Sequence, residues 1–394
     1  MKIIKKIIPA VLSLLLAPSV LATDTQPIKI SIEQQVAQFM AKEDIPALAI
    51  GIIQNGKVVF TSGHGVFDRK NNQPINTKTL FQIGSHAKPL TSAIALALIK
   101  EGKLKLSDRV VDHLPGVFPR ASLAQFNLLT IEHLMVHRSG LPTYPSNVTR
   151  IDGDAMEGGY SEEKLLAALK TIELRFSPGQ KWRYSNFNYA VLGYVLSKIT
   201  NKTYAQLVKQ YIADKYDVPS ILVNLSEQQK HTQLATPYRK DNRQVATKPW
   251  DMGLLAPHGG LYATIEDFAD LMAQQIAAYT KYNETGVASP LVSTQVIYDT
   301  QYSHMGEDYS GLSYGLGMFE ATPELGMSVE TIFYHGGDLD GFGSEYRFSP
   351  EYGVGVVMLT SSGGRKFIRF AMKIMDQLLI DAVENQQSPA LALP

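Results

Sequence analysis

Strand-like segments occur near both ends of this 394-residue chain, and their placement constrains the fold more than any other feature. Two β-rich runs flank Asn55-Gly56, and an Asn-Gly pair in that setting is the strongest short-range signal for a hairpin. Further β-rich runs come late in the chain, at 331–337, 343–350 and 352–361. The sequence therefore predicts one antiparallel sheet that is built from the two ends of the chain.

The middle of the chain shows helical spacing of its apolar residues instead. The segments with this spacing are 129–137, 161–172 and 185–201. We predict an α+β fold in which helices flank the sheet and a mostly helical second lobe forms from about 101–239. The α/β lobe is predicted over about 30–100 and 240–385, within a single domain at 23–394. An active site is expected where the two lobes meet.

The N-terminus has the features of a secretory signal peptide. Three lysines within the first six residues precede an apolar stretch, which ends at the small residue Ala22. The apolar part is short for a membrane span and is interrupted by Pro9 and Pro18. We predict a signal peptide at 1–22 that is cleaved, a periplasmic or secreted protein, and no stable membrane insertion. An uncleaved membrane anchor is the alternative.

Composition excludes several classes of function. The formal net charge is zero, so the sequence offers no basic surface for nucleic acid. The chain has no cysteine, which excludes a thiol nucleophile, a disulfide framework and a thiolate metal site.

The segment 81–102 places a serine and a lysine one turn apart, where a strand is predicted to run into a helix. Proline is tolerated only in the opening turn of a helix, so Pro89 places Ser85 at or beside the helix N-terminus. Lys88 shares a helix face with Ser85 and can accept its proton if burial lowers the lysine pKa. The N-terminus also directs backbone N–H groups at a developing oxyanion. For so short a motif, a surface serine beside a solvated lysine is the alternative.

A second candidate motif, Tyr184-Ser185-Asn186, precedes a predicted helix and follows a Pro-Gly turn. A tyrosine near an ammonium loses its proton more readily and can act as a general base. The Asn186 amide can hold the lysine and a substrate carbonyl together. The alternative is that Tyr184 is a core aromatic residue and Asn186 an N-cap.

A third candidate motif, His335-Gly336-Gly337, ends a predicted strand. Small residues let a substrate backbone lie against a strand edge, and a free N–H there can complete an oxyanion hole. A glycine-rich turn with an unrelated histidine is the alternative.

Together and in this order, the three motifs resemble the S-x-x-K, Y-x-N and K/H-x-G elements of the penicillin-recognising serine hydrolases. The resemblance is to the class C β-lactamase-like branch, which also contains D-alanyl-D-alanine carboxypeptidases, D-aminopeptidases and esterases. It extends over about residues 32–380. Flanking stretches that match the branch are TIEHLMVHRSGLP, APHGGLYATIEDFADLM, SYGLGMF and GVGVVMLTS.

The resemblance implies an acyl-enzyme mechanism. Ser85 is the implied nucleophile towards an amide, ester or lactam carbonyl, Lys88 and Tyr184 share the proton transfers, and Asn186 positions the substrate. Water then releases the acyl group. No cofactor and no metal are implied.

The resemblance also assigns the strand motif. His335 stands where the strand meets the far end of the substrate, and Gly336 and Gly337 let the substrate approach. The backbone N–H groups of Ser85 and Asp338 are the implied oxyanion hole.

One departure from the branch bears on the substrate. β-Lactamases of this branch generally have a lysine at the position of His335, and a histidine is only partly charged near neutral pH. Asp338 and Asp340 add negative charge that disfavours an anionic substrate if they face the cleft; the alternative is that they satisfy turn backbone.

We therefore favour a D-alanyl-D-alanine carboxypeptidase-type peptidase, with an esterase or D-aminopeptidase as the alternative and a β-lactamase less favoured. The expected partner is a small peptide, ester or β-lactam substrate. A non-catalytic penicillin- or peptide-binding protein is disfavoured, because Ser85, Lys88, Tyr184 and Asn186 are all present.

Two other patterns are rejected. Gly311 to Gly315 matches G-x-S-x-G, but that elbow needs a strand before it and a helix after it, and no helix is predicted after it. His133 and His137 lie four apart, as metal-binding pairs do, but structural histidines are the favoured interpretation.

Overall fold

The computed structural model describes residues 26–148, 150–151, 155–156, 159–293, 298–300, 303–304, 307–308, 312–321 and 331–387. The predicted signal peptide at 1–22 lies outside the described residues. The strands are β1 (Ala47–Gln54), β2 (Lys57–Gly65), β3 (Phe81–Gln82), β4 (Arg150–Ile151), β5 (Ala155–Met156), β6 (Tyr262–Ala263), β7 (Tyr298–Asp299), β8 (Ser303–His304), β9 (Glu307–Asp308), β10 (Ser313–Tyr314), β11 (Phe319–Ala321), β12 (Ile332–Leu339), β13 (Phe342–Ser349) and β14 (Val354–Thr360).

The helices are α1 (Gln26–Glu43), α2 (Ala87–Lys100), α3 (Val110–His113), α4 (Leu123–Phe126), α5 (Ile131–Met135), α6 (Glu162–Thr171), α7 (Asn186–Thr200), α8 (Tyr204–Val208), α9 (Asp214–Tyr216), α10 (Glu227–Thr232), α11 (Ile265–Thr285) and α12 (Arg365–Gln387).

The main sheet joins the two ends of the chain, as the sequence predicts. Its order is β2-β1-β14-β13-β12-β11-β10-β7, and each neighbouring pair in it is antiparallel. The hairpin β1–β2 turns at Asn55 and Gly56, whose φ angles of 51° and 69° are those that a tight primed turn requires. Strand β1 then pairs with β14, with Ile50 opposite Met358. The α+β prediction is confirmed.

Side-chain alternation along the central strands gives the sheet two apolar faces. Ile50 and Met358 belong to a buried cluster with α1 and α12, whereas Ala49 and Leu359 belong to the larger cluster that contains α11 and α2. The sheet is therefore a middle layer between helices. The same large cluster continues into α5 and α7 of the helical region, so one core supports the sheet and the helices beside it. The predicted lobe boundaries stay a prediction.

The helix that the sequence predicts to begin at or beside Ser85 is α2, which begins at Ala87. A 3₁₀ turn at Gly84–His86 leads into α2, which places Pro89 in the first turn of the helix. Gly84 has a φ of 54°, a left-handed conformation that glycine adopts at low cost. Within the described ranges, none of the helices is both long enough and apolar enough to cross a membrane.

The apolar face of α12 is expected to contribute strongly to stability. Leu378 is 1% exposed, so Leu378→Ala should lower the free energy of unfolding by about 2–5 kcal/mol in urea titrations. Met372 lies on the same helix and is 44% exposed, so Met372→Ala should change it by less than about 0.5 kcal/mol. Equal urea midpoints for the two variants would contradict the packing of α12 on the sheet.

Candidate active site

The Ser85 hydroxyl and the Lys88 amine are brought together at the start of α2. Ser85 lies in the 3₁₀ turn and Lys88 one turn further on, so both point to the same side. Lys88 Nζ donates a hydrogen bond of 2.9 Å to Ser85 Oγ. The pair therefore has the direct contact that proton transfer from the hydroxyl requires.

Lys88 is fully buried, unlike a solvated surface lysine. Its Nζ also donates to the carbonyl oxygen of His258 at 2.9 Å, and it lies 4.8 Å from the centroid of the Tyr184 ring. Burial lowers the pKa of Lys88 well below its usual value. A neutral amine has a lone pair that can accept the Ser85 proton.

The Tyr184-Ser185-Asn186 motif lies at the start of α7. Ser185 is the N-cap, because its Oγ accepts a 3.2 Å bond from the backbone N–H of Asn188. The suggestion that Asn186 is the N-cap is therefore wrong: Asn186 is the first residue of the helix. Its Oδ1 is buried and makes no hydrogen bond, so it has the capacity to accept one from a substrate N–H.

The His335-Gly336-Gly337 motif forms part of β12. On one side β13 pairs with β12 along Phe333–Leu339. On the other side β11 pairs only with Ile332 to Tyr334, so among the described strands the stretch 335–339 keeps an open edge. This edge can receive an extended substrate by main-chain pairing.

The glycine at position 337 allows this strand to approach the serine turn. A Cβ on Gly337 would collide with the carbonyl oxygen of Ile83 and lie 2.7 Å from Ser344 Oγ. A Cβ on Gly84 would lie 3.0 Å from Gly337 Cα. The turn that carries Ser85 therefore lies directly against the strand that leads to Asp338, whose backbone N–H is the other proposed oxyanion donor.

His335 is buried among aromatic rings and is not a cation at neutral pH. It is 2% exposed, and its ring centroid lies 5.5 Å from that of Phe319 and 6.4 Å from that of Tyr184. Burial, followed by the nearby Lys88 and His86, lowers the pKa of His335 well below its usual value. The partial charge expected from the sequence is therefore suppressed.

The carboxylate of Asp338 does not face the serine, and the carboxylate of Asp340 is buried in the next turn. Alternation along β12 places Asp338 on the sheet face opposite His335, and its Oδ2 pairs with Lys240 Nζ at 3.1 Å. Asp340 is 6% exposed in the adjoining turn, where its Oδ1 accepts a 3.4 Å bond from the backbone N–H of Lys240. Asp338 therefore does not face the cleft, which is the condition for its carboxylate to repel an anionic substrate.

Two buried side chains that the sequence analysis does not single out tie the serine turn to the strand. Ser344 Oγ donates to the carbonyl oxygen of Ile83 at 2.7 Å. His86 Nδ1 lies 3.3 Å from the carbonyl oxygen of His335. Burial lowers the pKa of His86 to about 3, so this ring is neutral and its Nδ1 can donate. Local sequence patterns carry no signal for these contacts.

In the described residues, neither rejected pattern has the secondary structure that its function would require. Gly311 lies outside the described residues, but Ser313 begins β10 and no helix follows it there. Helix α5 ends at Met135, and His133 contributes to its capping box, so the two histidines do not share a helix face. Among the described residues, no group of three or more histidine or acidic side chains could hold a metal ion.

Comparison with known proteins agrees with this architecture. A family model described as Beta-lactamase matches residues 32–377. The chain belongs to the beta-lactamase family. The resemblance predicted from the motifs is confirmed, and with it the assignment to a family of serine hydrolases.

The curated relatives of this family member are distant. Protein flp of Staphylococcus aureus (strain COL) is 25% identical over 362 residues, which cover 90% of this chain and 66% of that protein. The chain thus spans slightly less than two thirds of that relative. A Beta-lactamase of Pseudomonas fluorescens is 25% identical over 365 residues, covering 86% of this chain and 94% of that protein.

Two solved structures have the same fold as this family member. The octameric penicillin-binding protein homologue from Pyrococcus abyssi has a TM-score of 0.74 and 23% identity, covering 89% of this chain and 77% of that one. A mutant class C beta-lactamase has a TM-score of 0.75 and 18% identity, covering 91% of this chain and 99% of that one. Identities this low establish the fold alone.

Replacing the buried amine should separate activity from stability. Lys88→Met removes the proposed proton acceptor and should lower turnover of an activated ester by about 10²–10⁴-fold. It also removes the desolvation penalty, so we expect the variant to be at least as stable as the wild type at pH 6 in urea titrations.

The pH dependence of the same pair has a definite sign. The pKa of Lys88 is lower in the folded chain than in the unfolded chain, so the unfolded chain binds the extra proton between the two values. The stability of the wild type relative to Lys88→Met should therefore rise with pH. The rise should end where the pH reaches 10.5, the ordinary pKa of lysine. A relative stability that falls over this range would contradict the lowered pKa.

Proposed function

We propose that this chain is an exported serine hydrolase that forms an acyl-enzyme on Ser85. The observation that carries the proposal is the 2.9 Å contact between Ser85 Oγ and the buried Lys88 Nζ. A buried amine with a lowered pKa is costly to the fold, and such groups are concentrated at functional sites.

The proposed reaction has two steps. Neutral Lys88 accepts the Ser85 proton while Oγ bonds to the substrate carbonyl carbon, and the backbone N–H groups of Ser85 and Asp338 stabilise the oxyanion. The tetrahedral intermediate collapses as the leaving group receives the proton from Lys88, directly or through Tyr184. Water then attacks the acyl-serine, Lys88 and Tyr184 accept its proton between them, and Ser85 Oγ takes a proton as it leaves.

The neutrality of His335 favours substrates that lack a carboxylate at the end that meets β12. His335 is buried among rings with a lowered pKa, and the Lys240 ammonium is paired with Asp338. A carboxylate placed there would lose water and gain no cation from His335 or from the paired Lys240. We therefore propose an ester or amide with an uncharged leaving portion as the preferred substrate, which is esterase or D-aminopeptidase-type activity.

A D-alanyl-D-alanine carboxypeptidase-type activity is the second candidate. The unpaired, buried Oδ1 of Asn186 supports it, because a peptide N–H on the acyl side of the substrate can donate to this oxygen. The two candidates use the same nucleophile and differ at His335, where the carboxypeptidase substrate would place its terminal carboxylate.

The nucleophile can be tested by intact mass. Incubation with a slowly deacylating activated ester should add one acyl group that maps to Ser85. Ser85→Ala should abolish the adduct and lower turnover by at least about 10³-fold. Ser107 is exposed and remote in sequence, so Ser107→Ala serves as the control and should behave as the wild type. Turnover that survives in Ser85→Ala would overturn the mechanism.

The substrate preference can be tested with matched ester pairs that differ only in a carboxylate on the leaving portion. We expect the neutral member to have the higher kcat/KM by about tenfold or more, since an unpaired buried charge is costly. His335→Lys should reduce this ratio by supplying a cation.

Benzylpenicillin, which carries a carboxylate, tests the same preference by mass. We expect no long-lived adduct with the wild type. A stable penicilloyl adduct on Ser85, or a preference for the charged ester, would instead support the carboxypeptidase-type candidate.

A further inference from the structure

His137 is a buried residue with an unusual backbone conformation, and its ring packs on that of Tyr184. It follows the end of α5, is fully buried and has a φ of 59°. A left-handed conformation is uncommon for a residue other than glycine, and the surrounding contacts must hold it. The S-x-x-K mechanism described above does not use this side chain, and the metal pattern that includes it is rejected.

His137 holds the chain on both sides of Tyr184. Its carbonyl oxygen accepts a 2.8 Å hydrogen bond from the backbone N–H of Arg183. Its Nδ1 accepts a 3.1 Å hydrogen bond from the backbone N–H of Ser185. Because Nδ1 accepts, the neutral ring must have its proton on Nε2.

The His137 ring also packs directly on the Tyr184 ring. Their centroids are 4.3 Å apart, and Lys88 Nζ lies 4.8 Å from the centroid of Tyr184. The rings of Tyr314 and Tyr189 lie 4.8 Å and 5.4 Å from that of His137. The histidine is thus enclosed, and it cannot turn without displacing the tyrosine.

The residues after His137 continue the same alignment. The Ser185 hydroxyl donates to the carbonyl oxygen of Pro142 at 2.7 Å. The backbone N–H of Phe187 donates to the carbonyl oxygen of Thr143 at 3.0 Å. The segment 137–143 therefore runs beside 183–187 and holds the start of α7. Within this alignment, His137 makes the contacts that flank Tyr184.

We propose that His137 is a positioning residue that holds Tyr184 in reach of the Ser85–Lys88 pair, and that it does so in the tautomer with Nδ1 unprotonated. The proposal rests on the proposed function, because Tyr184 shares the proton transfers of the proposed reaction at Ser85. Displacing a catalytic group by about 1 Å can cost about 10²-fold in rate.

Two substitutions separate the side chain from the backbone conformation. His137→Gly accepts the positive φ but removes both the acceptor and the ring. His137→Asn tolerates the positive φ and restores an amide oxygen near the position of Nδ1. His133→Asn is the matched control, because His133 lies one turn earlier and caps α5.

The readout is kcat per active site, with sites counted by the acyl label on Ser85. We expect His137→Gly to lower kcat per labelled site by about 10–100-fold with KM changed by less than about threefold. His137→Asn should recover most of this loss, and His133→Asn should resemble the wild type. A structural role alone would lower the number of labelled sites and leave kcat per site unchanged, which would overturn the proposal.

A second measurement holds even if His137→Gly does not fold. In the wild-type chain labelled with ¹⁵N-histidine, the resonances lost in His137→Asn identify His137, and we expect its Nδ1 to be unprotonated. A proton on Nδ1 would overturn the inference. Turnover that survives in Ser85→Ala would overturn the proposed function itself, whereas an inactive Ser85→Ala with unchanged kcat in His137→Gly overturns this inference alone.

Discussion

The burial of the Lys88 amine is the constraint on which the rest of the site depends. An ammonium in this position would lose its water, and the hydrogen bonds to Ser85 Oγ and to the His258 carbonyl only partly replace it. His335 and His86 lie in the same interior, where burial lowers the pKa of both, and the nearby Lys88 and His86 lower the pKa of His335 further. The fold therefore buries three basic groups whose pKa values are all lowered. The lowered pKa of Lys88 favours the neutral amine that the proposed proton transfer from Ser85 requires.

The burial of that amine depends in turn on how closely β12 approaches the turn before α2. Glycine at 337 removes the side chain that would strike the Ile83 carbonyl, and the Ser344 hydroxyl then reaches under the strand to bond to the same carbonyl. Because β12 is fixed by β13 along its length, the contact also fixes the spacing between the Ser85 turn and Asp338. The sheet thus acts as a rigid support for the proposed oxyanion donors.

Local sequence signals predict the sheet and identify the three candidate motifs, but they do not predict the contacts between distant segments. The Asn55-Gly56 turn and the late β-rich runs predicted a sheet from both chain ends, because hairpin signals and strand periodicity are short-range properties. The alternative that places the N-cap of α7 at Asn186 is wrong, because the Ser185 side chain caps the helix. The hydrogen bonds that His137 accepts from the backbone N–H groups of Arg183 and Ser185 join positions more than 45 residues apart. Local sequence patterns do not predict contacts at such a separation.

The replacement of a lysine by His335 acts on both charge and geometry. A lysine at this position would bring a second ammonium towards Lys88, and the two would compete for the same few acceptors. A neutral histidine removes that competition, so the Lys88 pKa here is set by burial alone. The same neutrality leaves the open edge of β12 with backbone groups and aromatic rings instead of a fixed charge. Under the proposed function, main-chain pairing and apolar contact are the interactions that this edge offers a substrate.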